Sequence, residues 1–172
     1  MKLSSNKITL RAPELQDIDL LYKWENDESI WYLSNTNLPF SRFDLEQFIL
    51  NGNHDVFVEK QYRFMIEKND SKELIGCVDL FEFDPKNKRV GVGILIDEKY
   101  RNQGMASGAL DILIQYVFEQ LDVHQLFCNI LSSNAESLIL FKRKQFSIIG
   151  VKRDWVFSEG KYHDEVLLQL IR

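Results

Sequence analysis

A change in hydrophobic period near the middle of the chain limits the possible folds more than any other feature. Between residues 62 and 96, apolar and polar residues alternate in short stretches, as they do in β-strands. After Gly104 the apolar spacing becomes helical and stays helical to Leu121, and a new apolar stretch follows at 126–130. A strand, a helix and a second strand in this order require a parallel strand pair. We therefore expect the strand at 90–96 to run parallel to the strand at 126–130.

Shorter elements surround this centre. The pattern predicts strands at Ile8–Arg11, 62–66, 74–83, 147–156 and 162–171, helices near 15–22, 45–49 and 134–144, and an aromatic loop at 30–40. The helix near 45–49 is expected to stop at Gly52. The strands at 62–66, 74–83 and 90–96 are expected to form an antiparallel meander. The chain is thus predicted to be α+β, with one mixed, mostly antiparallel sheet, in a single domain covering residues 1–172.

The composition narrows the class of function. The 172 residues carry a net charge of −5, which argues against nucleic-acid binding because that activity needs a basic surface. No apolar run is long enough to span a bilayer, and the N-terminus lacks the apolar stretch of a secretory signal. Cys77 and Cys128 lie far apart and in no metal-ligand spacing. We expect a cytoplasmic protein without a metal that binds neither nucleic acid nor membrane.

The turn before the long helix has features of a phosphate-binding loop. It joins a buried strand to a helix that begins directly after Gly104, and backbone N–H groups at a helix start carry partial positive charge. A loop that turns these groups toward one point can hold a phosphate. Gly104 would let the backbone approach the anion, and Arg101 would add a full charge. On these residues alone, a turn glycine and a solvated arginine are the better explanation, since the glycine spacing of the Rossmann and P-loop motifs is absent.

A wider pattern favours the phosphate-binding loop over the plain turn. Arg101, Gly104 and Ala106, preceded by a strand and a tyrosine and followed by an amphipathic helix, resemble the acetyl-CoA pyrophosphate loop of the GNAT superfamily of N-acetyltransferases. Asn134 and Ser137, with residues 140–146, resemble the second cofactor element of that superfamily.

Two further segments, both N-terminal to the loop, extend the resemblance. Residues 10–13 and 75–89 are most similar to the branch that includes the ribosomal-protein serine/alanine N-terminal acetyltransferases and spermidine N-acetyltransferase. The resemblance covers essentially the whole chain. It implies a GNAT-like three-layer α/β/α fold with helices on both faces of the sheet. It also implies acetyl-CoA as cosubstrate.

The resemblance also implies which residues hold acetyl-CoA. Backbone groups of Ile94, Leu95 and Ile96 would bind the pantetheine arm like an added strand. The pyrophosphate would be held by loop amides, which belong to Arg101, Asn102, Gln103, Gly104, Met105, Ala106 and Ser107. Asn134 would contact the cofactor arm, and Phe141 would lie beside the cofactor. An equally good interpretation of Asn134 is local, because Ser133 and Glu136 have the spacing of a capping box and Asn134 would then only shape a helix start.

Two expected catalytic side chains are missing. The tyrosine that many members use as proton donor to the leaving thiolate is Phe141 here, and Phe has no proton to give. The acid often found on the central strand is replaced by Gly91. Ser137 is the first candidate for the thiolate's proton, because the matching serine has that role in the ribosomal-protein branch. The alternative interpretation is that Ser137 is an ordinary exposed serine on a helix.

Three acids are candidates for accepting the amine proton. Asp154, on a late strand, could relay the proton, although a surface acid is the more common reason for an Asp at such a position. Asp79 and Glu82 are further options, and their odd separation predicts that they lie on opposite faces of a strand.

The resemblance implies direct attack of a primary amine on the acetyl thioester. We expect the acceptor to lie under the aromatic loop at 30–40, and no acid occurs from Ser29 through Phe43. A polyamine would need carboxylates there, so a protein N-terminus or another small amine is favoured over spermidine. Polyamine acetylation and a catalytically weak acyl-CoA-binding module are the alternatives. The sequence is compatible with a homo-oligomer.

Overall fold

Seven β-strands and six α-helices are formed by residues 3–34, 36, 38–51 and 55–172, the part of the chain that the computed structural model describes. The strands are β1 (Ile8–Arg11), β2 (Tyr62–Lys68), β3 (Leu74–Asp84), β4 (Arg89–Ile96), β5 (Gln125–Leu131), β6 (Ser147–Ser158) and β7 (Lys161–Ile171). The helices are α1 (Ile18–Glu25), α2 (Trp31–Ser34), α3 (Arg42–Asn51), α4 (Val56–Glu59), α5 (Met105–Gln120) and α6 (Ala135–Arg143). Short 3-10 helices cover Leu15–Asp17, Glu28–Ile30 and Glu98–Tyr100.

All seven strands join one sheet in the order β1-β2-β3-β4-β5-β7-β6. The predicted meander is confirmed, because β2, β3 and β4 pair antiparallel in sequence order. The predicted parallel pair is also confirmed between β4 and β5, with α5 as the crossover between them. Every other pair is antiparallel, so the sheet is mixed and mostly antiparallel as expected.

Helices cover both faces of the sheet because adjacent strand residues point to opposite sides. Val78 packs with α5 residues such as Leu110 and Leu113 in one core cluster, which also takes in Phe141 at the end of α6. Its neighbour Cys77 belongs to a second cluster on the opposite face, built with side chains of α1 and α3. The two clusters confirm the expected three-layer arrangement.

The connection before β2 differs from the prediction. Residues expected to form a loop are partly helical, since a 3-10 turn ends at Ile30 and α2 follows directly. Asp27 stabilises the start of this turn by accepting a hydrogen bond from the backbone N–H of Ser29 at 3.0 Å. The helix α4 was not predicted at all. The expected stop at Gly52 lies outside the described residues.

Candidate active site

A groove of about 1940 Å³ opens where two neighbouring strands separate. β4 and β5 pair only through Arg89–Gln125, Val90–Leu126 and Gly91–Phe127, and their described residues form no further pairs with each other. β4 continues to Ile96 with its other edge still paired to β3. Residues 92–96 therefore line the groove with a strand edge that β5 leaves unpaired, and unpaired main-chain groups are ready to bind an extended ligand.

The loop after β4 ends in a helix start that no described side chain caps. Gly104 is the N-cap residue of α5, with φ +78°, and Asn102 also has a positive φ of 60°. A Cβ added to Gly104 would meet no heavy atom within 4 Å. The following residues, from Met105 to Ser107, line the groove with Gly104 itself. The positive end of a 16-residue helix thus borders the groove, which favours an anion there.

Asp97 fastens this loop to α1. Its carboxylate accepts hydrogen bonds from the indole N–H of Trp24 at 2.9 Å, from Lys23 at 3.0 Å and from the backbone N–H of Lys99 at 3.2 Å. The Trp24 bond above all, with those of Lys23 and Lys99, lowers the pKa of Asp97 from 3.8 to about 2, although burial opposes the charge. On the far side of the turn, Arg101 Nε donates to the carbonyl oxygen of Ile96 at 3.2 Å.

The start of α6 forms the opposite wall of the groove. Asn134 is the N-cap, and its Oδ1 accepts a hydrogen bond from the backbone N–H of Ser137 at 3.1 Å. This geometry supports the local role of Asn134, but the capping box expected of Ser133 and Glu136 is wrong, because the helix begins one residue later than that box requires. Both Asn134 and Ser137 line the groove, so the cap does not remove Asn134 from it.

The structure brings most of the predicted site residues together. Those that line the groove are Ile94, Leu95, Ile96, Arg101, Asn102, Gly104, Met105, Ala106, Ser107, Asn134 and Ser137. Gln103, Phe141 and Asp154 are not among the lining residues. The side chain of Gln103 instead donates to the carbonyl oxygen of Lys99 at 3.0 Å. Phe141 is 3% exposed and packs edge-on against Phe146 in the core.

Asp154 lies on an irregular part of β6, away from the groove lining. Its φ is 48°, within the stretch where the pairing of β6 with β7 shifts register. Its backbone N–H donates to the carboxylate of Asp164 at 3.0 Å, and the residue is exposed. A proton relay through Asp154 therefore gains no support from its position and stays a prediction.

A phenylalanine ring occupies the space above the strand position where the resemblance places an acid. A Cβ on Gly91 would lie 2.3 Å from the ring of Phe81, so a larger residue at 91 would displace that ring. The ring also packs edge-on against Phe127, with centroids 5.7 Å apart. The Phe81 ring therefore fills the space that a carboxylate side chain at position 91 would need.

The part of the groove formed by α1, α3, α4, β2 and β3 is acidic, and we call it the acidic half. Its lining carboxylates are Glu25, Asp27, Asp44, Glu59, Asp79 and Glu82, which outnumber its lining cations, Lys23 and Arg63. No acid occurs at residues 29–43, but the fold brings acids from other elements to the same groove. The expected preference for a protein N-terminus over a polyamine therefore loses its basis and stays a prediction.

An ion cluster lies in this acidic half. Arg63 on β2 donates to both carboxylate oxygens of Asp79 on β3, at 2.7 and 2.8 Å, and also to Glu25 at the end of α1. Burial opposes the charge of Arg63, but the carboxylates of Asp79 and Glu25 hold its pKa well above the ordinary value. Sequence reasoning missed Glu25 and Arg63. A charged side chain between the apolar residues of a predicted strand was the available signal for Arg63.

A bulge corrects the predicted placement of Glu82. The register of β3 with β4 shifts between Phe81 and Asp84, and Glu82 has a φ of 49°. A bulge breaks the alternation of faces, so the odd separation of Asp79 and Glu82 does not put them on opposite sides. Both side chains line the same groove.

The donor set of the groove fits coenzyme A in three respects. An open strand edge suits the amides of a pantetheine arm, an uncapped helix start suits a diphosphate, and the two meet at one loop. Within the described ranges, no group of three or more His, Cys, Asp and Glu side chains has the arrangement of a metal site. In the same residues, no helix has the length and apolar character needed to cross a membrane.

Comparison with known proteins agrees with this geometry. Residues 7–147 match the family model described as an acetyltransferase (GNAT) domain. The chain is 27% identical to an uncharacterized N-acetyltransferase, p20, of Bacillus licheniformis, over 99% of this chain and 96% of that protein. It is 26% identical to spermidine N(1)-acetyltransferase of Vibrio cholerae, over 93% of this chain and 90% of the relative.

A solved structure has the same fold. The complex of Vibrio cholerae spermidine N-acetyltransferase with CoA and spermine superimposes with a TM-score of 0.87 at 23% identity, covering 97% of this chain and 96% of that one. The family model covers most of the chain, and the fold, strand separation and loop agree with it. The chain therefore belongs to the GNAT acetyltransferase family.

Proposed function

We propose that this protein transfers an acetyl group from acetyl-CoA to a cationic small primary amine, with polyamines as the first class to test. The observation that carries this proposal is the juxtaposition within one groove of an uncapped helix start and a cluster with excess negative charge. The first suits the cosubstrate's phosphates, and the second suits an ammonium group. The spermidine acetyltransferases among the relatives support this acceptor class.

The residues for the cosubstrate follow from the walls of the groove. The main chain of Ile94, Leu95 and Ile96 would hold the pantetheine arm, and the amides from Arg101 to Ser107 would hold the diphosphate. Asn134 keeps the first turn of α6 in place beside them, since its side chain caps that turn. Acetyl-CoA supplies a thioester, whose carbonyl carbon an amine nitrogen attacks directly.

Proton transfer sets the main energetic demand on the protein. A lysine-like amine has a pKa of about 10.4, so forming the neutral amine at pH 7 costs about 4–5 kcal/mol. A carboxylate in the groove can take this proton. The thiol product has a parent pKa of about 8.5, so a proton donor is helpful rather than essential, and we assign that role to Ser137.

A protein N-terminus is the second candidate acceptor. Its amino group has a pKa of about 7.7–8.0 and needs only about 1 kcal/mol for neutralisation at pH 7, which suits a site without the usual strand acid. The groove is also large enough for an extended chain.

Two measurements test the proposal together. Isothermal titration measures CoA binding, and thiol release measures turnover with 1,4-diaminobutane, spermidine and peptides with free Ser or Ala N-termini. We expect CoA binding and the highest kcat/KM with a polyamine. Binding without turnover of any amine would identify an acyl-CoA-binding module instead, and no CoA binding would overturn the proposal.

Assembly and location are separate proposals. One structure of the Vibrio cholerae enzyme is dodecameric, which supports testing this chain for a homo-oligomer by light scattering coupled to size-exclusion chromatography. We keep the cytoplasmic location as a prediction, to be measured by fractionation of the source cells.

A further inference from the structure

Two charged residues and a glycine lie in one row across the sheet. Arg63 on β2 is the register partner of Asp79 on β3, and Asp79 is the register partner of Gly93 on β4. Register partners in adjacent strands project to the same face. The row therefore leads from the ion cluster directly to the strand edge that faces the groove.

The cluster at one end of this row has one negative charge in excess. Two carboxylates, Glu25 and Asp79, share a single guanidinium, that of Arg63. Arg63 and Glu25 are mostly covered, with 18% and 19% of their side chains exposed, whereas 33% of Asp79 is exposed. The ring of Phe48 also lies near Arg63, with its centroid 6.0 Å from the guanidinium carbon. The carboxylate of Asp79 is thus fixed by Arg63 and remains accessible from the groove.

The other end of the row leaves room for a ligand. Gly93 has no side chain, and the nearest heavy atom to a Cβ placed there would be the ring of Phe81 at 3.8 Å. Glu25, Asp79 and Gly93 all line the groove. A small group bound beside Asp79 would therefore lie next to the free edge of β4.

We propose that Glu25 and Asp79, held together by Arg63, form the subsite for the ammonium group of the acceptor amine. The inference rests on the proposed function, because it presumes an amine acceptor. In this subsite Asp79 contacts the ammonium group, Arg63 positions Asp79 through two parallel hydrogen bonds, and Glu25 leaves the cluster one negative charge in excess. Gly93 provides the space through which the nitrogen reaches the neighbouring thioester.

Isosteric variants that each remove one charge test the subsite. In Asp79→Asn and Glu25→Gln the cluster becomes neutral, and we expect the KM for 1,4-diaminobutane to rise about 10- to 100-fold while the KM for acetyl-CoA stays within about twofold. Glu28→Gln is the matched control, since Glu28 is exposed nearby and does not line the groove. Glu25→Asp keeps the charge and should retain most of the affinity.

Direct binding separates this inference from the proposed function. Titration calorimetry measures the Kd of 1,4-diaminobutane for the CoA-saturated protein, with 1,4-butanediol as the neutral comparison. Turnover with an amine KM that neither variant changes would overturn the subsite and leave the proposed function standing. Equal rises in both KM values would also overturn it, because the cluster would then only support the fold. If the wild type binds the diamine but acetylates nothing, and the variants lose that binding, the subsite stands and the proposed function fails. If the wild type does not bind the diamine and acetylates no amine of the panel, both fail.

Discussion

Gly104→Ala should weaken both CoA binding and the fold, whereas the same strain placed elsewhere should weaken only the fold. Gly104 has a φ of +78°, a conformation that costs a residue with a Cβ about 1–2 kcal/mol. The added methyl group would meet no protein atom within 4 Å, so this backbone strain is the whole expected cost to stability. To relieve it, the loop must turn its amides. The loss of one charge-assisted amide–phosphate hydrogen bond, worth about 1.5–3 kcal/mol, raises the Kd about 10- to 100-fold.

The chain contains a matched control for this substitution. Gly160, in the turn between β6 and β7, has a φ of +76°, and a Cβ there would also meet nothing within 4 Å. Gly160→Ala therefore imposes the same strain outside the groove lining. Urea denaturation should give a similar loss of stability for both variants, about 1–2 kcal/mol. Isothermal titration with CoA should show a change only for Gly104→Ala.

Two results would refute this reasoning. If Gly104→Ala loses stability but binds CoA as tightly as the wild type, the amides of this loop do not hold the diphosphate. If Gly160→Ala weakens CoA binding to the same extent, the effect comes from general loss of stability and says nothing about the loop.

Three other substitutions test separate parts of the site. Gly91→Ala should destabilise the protein by about 1–3 kcal/mol in urea denaturation, because its Cβ overlaps the ring of Phe81, and adding Phe81→Leu should recover part of the loss; strictly additive losses would contradict this. Asp97→Asn should cost about 2–2.5 kcal/mol at pH 7. Since the pKa of Asp97 is about 2 in the folded state and 3.8 ordinarily, the wild type's advantage should be full above pH 4 and vanish as the pH falls toward 2; an advantage independent of pH would disprove the assignment. Ser137→Ala should lower kcat about tenfold or more with little change in either KM, as measured by thiol release; an unchanged kcat would remove Ser137 from the mechanism.

The sequence predicted the centre of the fold because that centre depends on local patterns. Hydrophobic periods identified β4, α5 and β5, and the connection rule then required β4 and β5 to be parallel. The family resemblance identified the loop glycine, and the positive φ of Gly104 explains why a glycine suits that position. The strand and helix patterns are set by residues that are close in sequence, so the sequence alone was sufficient to predict them.

The acidic half was not predictable in the same way. Glu25 and Asp79 are 54 positions apart, and only the pairing of β2 with β3, together with the packing of α1 on that face, brings them to Arg63. Glu82 was a candidate acid, but strict alternation placed it on the opposite face from Asp79, because the bulge in β3 was not predicted. Tertiary contacts thus bring carboxylates to the groove that the sequence of residues 29–43 could not indicate.

The excess negative charge has two opposing effects on an amine. It attracts the ammonium form, yet the same field opposes loss of the proton that must leave before the nitrogen can attack. Binding the ammonium more tightly therefore cannot by itself raise kcat, since it stabilises the ground state. Such a site can lower KM by binding alone, but it raises kcat only if one of its carboxylates also accepts the proton. The most exposed member of the cluster is Asp79, whose register partner on β4 is Gly93. If the proposed subsite is right, Asp79 on β3 would supply the carboxylate that β4 lacks at position 91.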